Sequence, residues 1–434
     1  VPVAAGPRAL WAVVGTIRCG DIQEGVVLFK IPRRLVFSLG PAGFGAFLQL
    51  IVFAATSRAL GAEAFGVMSV VFATSILFSP LSTLGSDQTI VRTLSRETAS
   101  FAQVWGHILN ITMLAFPIAW IAAFAVAVFT VGGEVPVLIL GAAIAGEMLT
   151  GRAVTVASAT LVAKDRVVAA SLVELSVVAT RAVTALIVFG LMASDSLTLW
   201  LSAVALQALT VSVVIGVVLS LKFGMPHLAV IKKDLSFGLL MMINLFLQQA
   251  QTNLDKILLE NLVPAGALGV YSAGTRLQLL GNLGNLWVAR LYYPGYFKQA
   301  LAGDDALRRY IKSCVPLTLA VGLMSMIFMT GLAFLLPYLV GDGFDGITQI
   351  ALVIALVPPF TALQIPAADA LTALDKQRLR TIIYAVALVT MVILLLMLVP
   401  LLGAIGAAWA LVLTAVATMA TLWATLWIML RRRA

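Results

Sequence analysis

Residues 58–69 read RALGAEAFGVMS, and residues 260–272 read ENLVPAGALGVYS. One extra residue in the second copy aligns Phe65-Gly66-Val67-Met68-Ser69 with Leu268-Gly269-Val270-Tyr271-Ser272. Each stretch closes one long apolar run and opens the next. A second echo sets Lys164-Asp165-Arg166 against Asp375-Lys376-Gln377-Arg378. The two offsets, about 203 and about 211 residues, agree within the variation of loops. The chain reads as one unit duplicated.

Composition sets the solvent of that unit. Of 434 residues, 61% are hydrophobic and 11% charged, whereas soluble domains carry about a quarter charged residues. A soluble multidomain enzyme is excluded, as are disordered and collagen-like chains. Cys19 and Cys314 form no CxxC pair, and His107 and His227 lack metal-ligand spacing, so no metal or cofactor is expected. The formal charge of +9 does not indicate nucleic acid, because the basic residues sit in short clusters between apolar runs. A bilayer core about 30 Å thick takes about 20 apolar residues per helix. About twelve runs qualify: 36–57, 65–85, 104–130, 136–162, 167–192, 197–220, 235–261, 267–290, 313–339, 346–372, 381–401 and 404–430. The longest segments left over, 1–34 and 291–312, are too short for a soluble domain.

Lys and Arg orient the spans. Lys30, Arg33 and Arg34 precede the first, and the even-numbered connections carry Arg92 and Arg96, Lys164 and Arg166, Lys222, Lys232 and Lys233, Lys298, Arg308, Arg309 and Lys312, then Lys376, Arg378 and Arg380. Arg431, Arg432 and Arg433 follow the last span, while the odd connections hold only Arg58. The expectation is an all-α integral membrane protein of about 12 transmembrane helices in two six-helix lobes around a central cavity, both termini cytoplasmic. The boundaries are a cytoplasmic tail at 1–34, an N-lobe at 35–221 and a C-lobe at 222–434. Within the tail, Ala9 to Ile17 resembles a weak signal h-region, without a cleavage site after it.

The stretch from Phe53 to Arg96 resembles the bacterial polysaccharide-lipid flippases of the multidrug/oligosaccharidyl-lipid/polysaccharide exporter superfamily. Their pattern is an Arg, then Leu-Gly-x-Glu-x-Phe-Gly, then a span ending in Gly with basic residues beyond. Arg58, Leu60, Gly61, Glu63, Phe65, Gly66, Gly85, Arg92 and Arg96 match it position by position. Asp255 with Gly269-Val270-Tyr271-Ser272, and the Gly403-Ala-Ile-Gly406-Ala-Ala turn, are similar to second-half features of that superfamily. The resemblance implies flipping of a polyprenyl-diphosphate-linked oligosaccharide across the inner membrane, with no catalytic chemistry. Membrane lipids and polysaccharide polymerase or assembly proteins are the partners it implies.

Charges at mid-bilayer cost about 2.5–3.5 kcal/mol each on insertion scales, yet Glu147, Arg152, Glu174, Arg181, Asp255, Lys256, Glu260 and Arg276 fall within the runs. They must face a wet cavity, pair, or lie near the ends. Arg152, Arg181 and Arg276, with Lys256 and Arg58, are the candidates for a diphosphate or anionic glycan, since Arg binds phosphate oxygens bidentately and stays charged. The bland alternative pairs Glu147 with Arg152 and Glu174 with Arg181. Asn244, Gln248, Gln251 and Asp255 form one helical stripe, and Gln249, Asn253, Lys256 and Glu260 another. With Gln278 and Asn282 of the next run, the first stripe is the candidate sugar-binding lining, and helix–helix glue is its alternative. Gly40-Pro41-Ala-Gly43-Phe-Gly45 should bend the first run, and Pro358-Pro359 with Pro366 should break the tenth. No G-x-x-x-x-G-K-[ST] loop is present. The rival functions are a drug/cation antiporter of the same superfamily and a membrane glycan polymerase or ligase.

Overall fold

A computed structural model describes residues 33–95, 99–164, 166–227, 232–264 and 266–432. Most of the expected tail, with its Ala9 to Ile17 stretch and Cys19, lies outside these residues, as does the Arg433 end of the chain. All regular structure among the described residues is helical. The order is α1 (Arg33–Phe78), two 3-10 turns (Ser79–Thr83 and Ser86–Thr89), α2 (Ile90–Ser95), α3 (Phe101–Val131), α4 (Val137–Ala163), α5 (Val167–Ala185) with a π turn to Leu191, and α6 (Leu197–Phe223). Then come α7 (Lys232–Leu259), α8 (Ala267–Ala302), α9 (Asp304–Val340), α10 (Ile347–Ile354), α11 (Val357–Ala373), α12 (Gln377–Leu402) and α13 (Ala404–Arg432). Among the described residues, nine helical segments are long and apolar enough to cross a membrane. α7 and α8 are not among them, although they are 28 and 36 residues long. The Gln, Asn, Asp, Lys and Arg side chains read above as stripes lower their hydropathy.

The first two runs form one 46-residue helix by hydrogen bonding, with a single non-helical residue, Gly61 (φ 71, ψ 175). The helix runs on through Pro41, and its one non-helical residue, where the chain doubles back, is Gly61. Proline removes one backbone donor, which a helix can absorb; a positive φ redirects the chain, and only glycine adopts it freely. Phe53 and Phe65 show the outcome, with ring centroids 5.8 Å apart. In a straight helix their twelve-residue separation would span about 18 Å. α1 is a hairpin of two legs without a loop.

A correction concerns 291–312. α8 continues through Pro294 to Ala302 and α9 begins at Asp304, so Gly303 alone (φ 113) makes the connection. Tyrosines hold this extension: Tyr296 and Tyr292 sit 5.1 and 6.1 Å from Tyr310 by ring centroids, and the Tyr310 hydroxyl donates to the Tyr292 carbonyl at 3.0 Å. The expected break at Pro358-Pro359 is present, between α10 and α11, whereas α11 runs on through Pro366 without the break expected there. Asn285 Nδ2 on α8 donates to the Pro358 carbonyl at 3.2 Å. It satisfies an acceptor at the start of α11.

Short turns give the bundle one basic end, with Lys164, Arg166, Lys376 and Arg378, and one acidic end, with Glu134, Glu260, Asp342 and Asp345. The halves of the chain meet closely at both. At the acidic end the two glycines aligned by the sequence echo touch each other: a Cβ on Gly66 would lie 3.0 Å from Gly269 N, and one on Gly269 would overlap the Ala62 carbonyl. Phe65 and Phe344 stack edge-on beside them at 6.0 Å. Arg58 completes this seam, donating from Nε to the Leu339 carbonyl at 2.9 Å and from Nη2 to Tyr338. At the basic end the backbone at Leu84–Gly85 abuts Gly238 on α7, with Phe78 and Phe246 edge-on at 6.3 Å.

Glu63, Glu134 and Glu260 line a small cleft of about 30 Å³ beside the acidic seam. Partial burial, then Glu63, raises the Glu134 pKa, and partial burial, then Glu134, raises that of Glu260. An acid raised in the folded state binds more protons there than when unfolded, so its penalty is absent at low pH and grows as pH rises above the ordinary carboxylate range. Glu260→Gln should therefore raise the denaturation temperature in detergent at pH 7.5 and leave it unchanged at pH 4. Equal shifts at both pH values would refute the carboxylate repulsion.

Candidate functional site

Between the two seams lies a cavity of about 110 Å³. Both legs of α1 wall it, with Gln49, Phe53 and Thr56 on the first and Phe65, Met68 and Phe72 on the second. Arg181 from α5, Trp200 from α6, and Arg276, Leu277 and Leu280 from α8 complete it. The wall is mainly apolar and aromatic, with two guanidinium groups placed in it. Few polar groups in an apolar concavity are the usual makeup of a small-molecule site.

Arg181 is the more tethered of the two. It forms an ion pair with Glu147 on α4, donates to Gln207 Oε1 from Nε and Nη2 at 3.3 Å, and lies 5.5 Å from the Phe72 ring centroid. Gln207 is itself fixed by donating to Thr180 Oγ1 at 3.0 Å. Arg276 differs: no acid pairs with it and no hydrogen bond engages it among the described residues. By rise per residue, Arg181 and Arg276 both sit about 13–15 Å from the acidic end of their helices. That common depth is why two distant sequence positions share one cavity.

The other expected site residues are distributed differently. Arg152 pairs with Asp87 at 3.0 Å, not with Glu147, and lies outside the cavity lining. Glu174 is exposed and does not pair with Arg181. Lys256 pairs with Asp255 at 3.3 Å, and the buried Asp255 also accepts from the Tyr271 hydroxyl at 2.5 Å. Asn244 accepts from Thr381 at 2.9 Å and Gln251 donates to the Tyr384 carbonyl at 2.7 Å, both on α12. Asn282 accepts from Thr361 of α11 at 3.4 Å. Gln248 is exposed and Gln278 half-buried, and neither lines the cavity. Arg58 is spent on the acidic seam. The sequence reading missed Gln49, Thr56 and the aromatic wall. Gln49, an amide in an otherwise apolar run, is the one signal that could have pointed there.

In fold, the chain is similar to an inward-facing multidrug resistance MATE family transporter of the MOP superfamily (TM-score 0.72, 12% identity, 92% of this chain and 98% of that one). It is also similar to the lipid II flippase MurJ in an inward closed conformation (TM-score 0.68, 12% identity, 90% and 87% covered). A third similar structure is the MATE multidrug transporter DinF-BH in complex with R6G (TM-score 0.66, 16% identity, 94% and 98% covered). Curated protein sequences give no match. With its apolar helices and this fold, the chain is a multi-pass membrane protein. Residues 36–294 match the polysaccharide biosynthesis protein family, and the chain belongs to that family.

Proposed function

We propose that the protein is a flippase that moves a polyprenyl-diphosphate-linked oligosaccharide from the cytoplasmic to the outer leaflet of the bacterial inner membrane. The observation that carries this reading is the pair Arg181 and Arg276 in one aromatic-walled cavity. Two cations in one cavity suit a diphosphate and disfavour a cationic drug: Arg276, free of protein partners among the described residues, can grip phosphate oxygens with parallel hydrogen bonds, and Arg181 adds its charge beside it. The basic end faces the cytoplasm under the positive-inside rule, with both termini there. The two legs of α1 and the ten further helical segments make twelve spans, arranged as an N-lobe at 35–221 and a C-lobe at 222–434. Rocking of one lobe against the other opens the basic and the acidic seam in turn. Arg181 and Arg276 take the diphosphate, the Gln49 amide beside them takes a sugar hydroxyl, and the prenyl chain stays in lipid. The chain acts without catalysis, in concert with polysaccharide polymerase and assembly proteins.

The test is flipping in sealed proteoliposomes, with a fluorescent short-chain polyprenyl diphosphate oligosaccharide and its accessibility from the far side as readout. Appearance of label on the far side, in protein-containing vesicles only, is the expected result. Absence of flipping together with uptake of a cationic dye such as rhodamine 6G would replace this function by drug antiport.

A further inference from the structure

Arg152 has a different place in the molecule from the two cavity arginines. By rise per residue it lies about 16 Å from the basic end of α4. Its Nη1 donates to Asp87 Oδ2 at 3.0 Å, while its Nε is buried without an acceptor among the described residues. Asp87 is fully buried and also accepts from Thr83 Oγ1 at 2.8 Å and from Gln88 Nε2 at 3.0 Å. The Thr83 bond bridges the two 3-10 turns of one short segment, Ser79–Thr89, across its left-handed middle at Leu84 (φ 45) and Gly85 (φ 70). A leucine held at positive φ is strained and persists only where its surroundings fix it. That left-handed turn is the part that docks on α7: a Cβ on Gly238 would lie 2.9 Å from the Leu84 carbonyl, and one on Gly85 would overlap the Gly238 carbonyl.

We propose that Arg152 is a positioning residue for the basic-end gate: through Asp87 it holds the Leu84–Gly85 turn in the shape that seals against Gly238. The guanidinium neutralises a carboxylate buried inside the segment. Without it, Asp87 must draw in water or move outward, and the turn it anchors loses the geometry that admits a backbone-to-backbone contact. Closure of this end of the cavity is thereby coupled to an ion pair inside one lobe. The inference rests on the transporter reading above only in calling the seam a gate.

The experiment measures closure directly, without cargo. Spin labels at Arg166→Cys and Arg378→Cys, on exposed basic-end turns of the two halves, report the distance across the gate by pulsed EPR in lipid. The background is Cys19→Ala; Cys314 is buried and escapes labelling. Gly238→Val serves as the reference for an opened seam. Arg152→Gln should move the distribution toward that reference, and the charge-neutral Asp87→Asn/Arg152→Gln double variant, which lacks the Arg152 tie but leaves no bare carboxylate, should move it in the same direction by a smaller amount. A rise of about tenfold in the open-to-closed ratio is expected, with affinity for a short-chain polyprenyl diphosphate within about threefold of wild type. Unchanged distances in folded variants overturn the proposal. An affinity loss of about tenfold with unchanged distances also overturns it, by making Arg152 a cargo ligand. Failure of wild type to flip any glycolipid would leave the distance result standing.

Discussion

Arg276→Gln should reduce flipping of a polyprenyl diphosphate oligosaccharide by about ten- to a hundredfold. Charge-assisted hydrogen bonds contribute about 1.5–3 kcal/mol each, and every 1.4 kcal/mol corresponds to a factor of about ten. This is the cleaner of the two cavity substitutions, because no carboxylate is left behind when the guanidinium goes. Arg181→Gln strands Glu147 in a site where both partners are largely buried (side chains 20% and 15% exposed). Its loss of function would mix cargo binding with the cost of an unpaired acid. The Glu147→Gln/Arg181→Gln double variant removes that ambiguity and should be as inactive as Arg276→Gln, while a stable fold confirms that neutralising the pair is tolerated. Flipping at wild-type rates by Arg276→Gln in a folded protein would remove the cavity from the mechanism.

Gly269→Val is expected to abolish transport by forcing the acidic end open. A Cβ there meets the carbonyl carbon of Ala62 at 2.6 Å and its Cα at 3.1 Å, so nothing flexible can give way. The clash falls on a seam between the two halves of the chain, which can separate. Gly106 offers the contrast: a Cβ there overlaps the His227 carbonyl, where the chain after α6 binds back to α3 through His227 N–H and the Ala102 carbonyl at 2.8 Å. Gly106→Val should impair folding, whereas Gly269→Val should fold in an altered conformation. Thr56→Cys, buried in the cavity wall, gives the readout. A membrane-impermeant maleimide applied from the acidic side should label it at least about tenfold faster with Gly269→Val than without, since an exposed thiolate is the reacting species. Equal labelling rates would mean that this seam is not the barrier.

The features that sequence alone discloses share a physical character. The echo of Gly66 and Gly269, the break at Pro358-Pro359 and the charge asymmetry are all local signals: a glycine that permits close approach, a proline that lacks a donor, a basic turn. Arg181 and Arg276 could be singled out because a charge inside an apolar run has to be accounted for. What sequence does not disclose is partner choice. Asn244 and Gln251 lie on a stripe that hydropathy cannot distinguish from a cavity lining, yet their amides are used on Thr381 and the Tyr384 carbonyl of α12. Arg152 looks equivalent to Arg181 in spacing and depth, and only the fold brings Asp87 beside it, 65 residues earlier in the chain. The aromatic wall of the cavity is invisible for a further reason. Phe53, Phe65 and Phe72 come together only after the chain doubles back at Gly61, and an apolar residue facing a cavity has the same hydropathy as one facing lipid.

The second leg of α1 and the short turn after it, from Ala62 to Gly85, touch the other half of the chain at both extremities, and no loop separates this leg from the first. Tilting of its helical part, residues 62–78, would act as a seesaw, lifting one extremity as it presses the other down. In the proposed transport cycle, the two sides of the cavity then open in turn and never together. For a cell that stores its energy as an ion gradient, that constraint amounts to electrical insulation, because a bulky headgroup can cross without a continuous water path ever linking the two compartments.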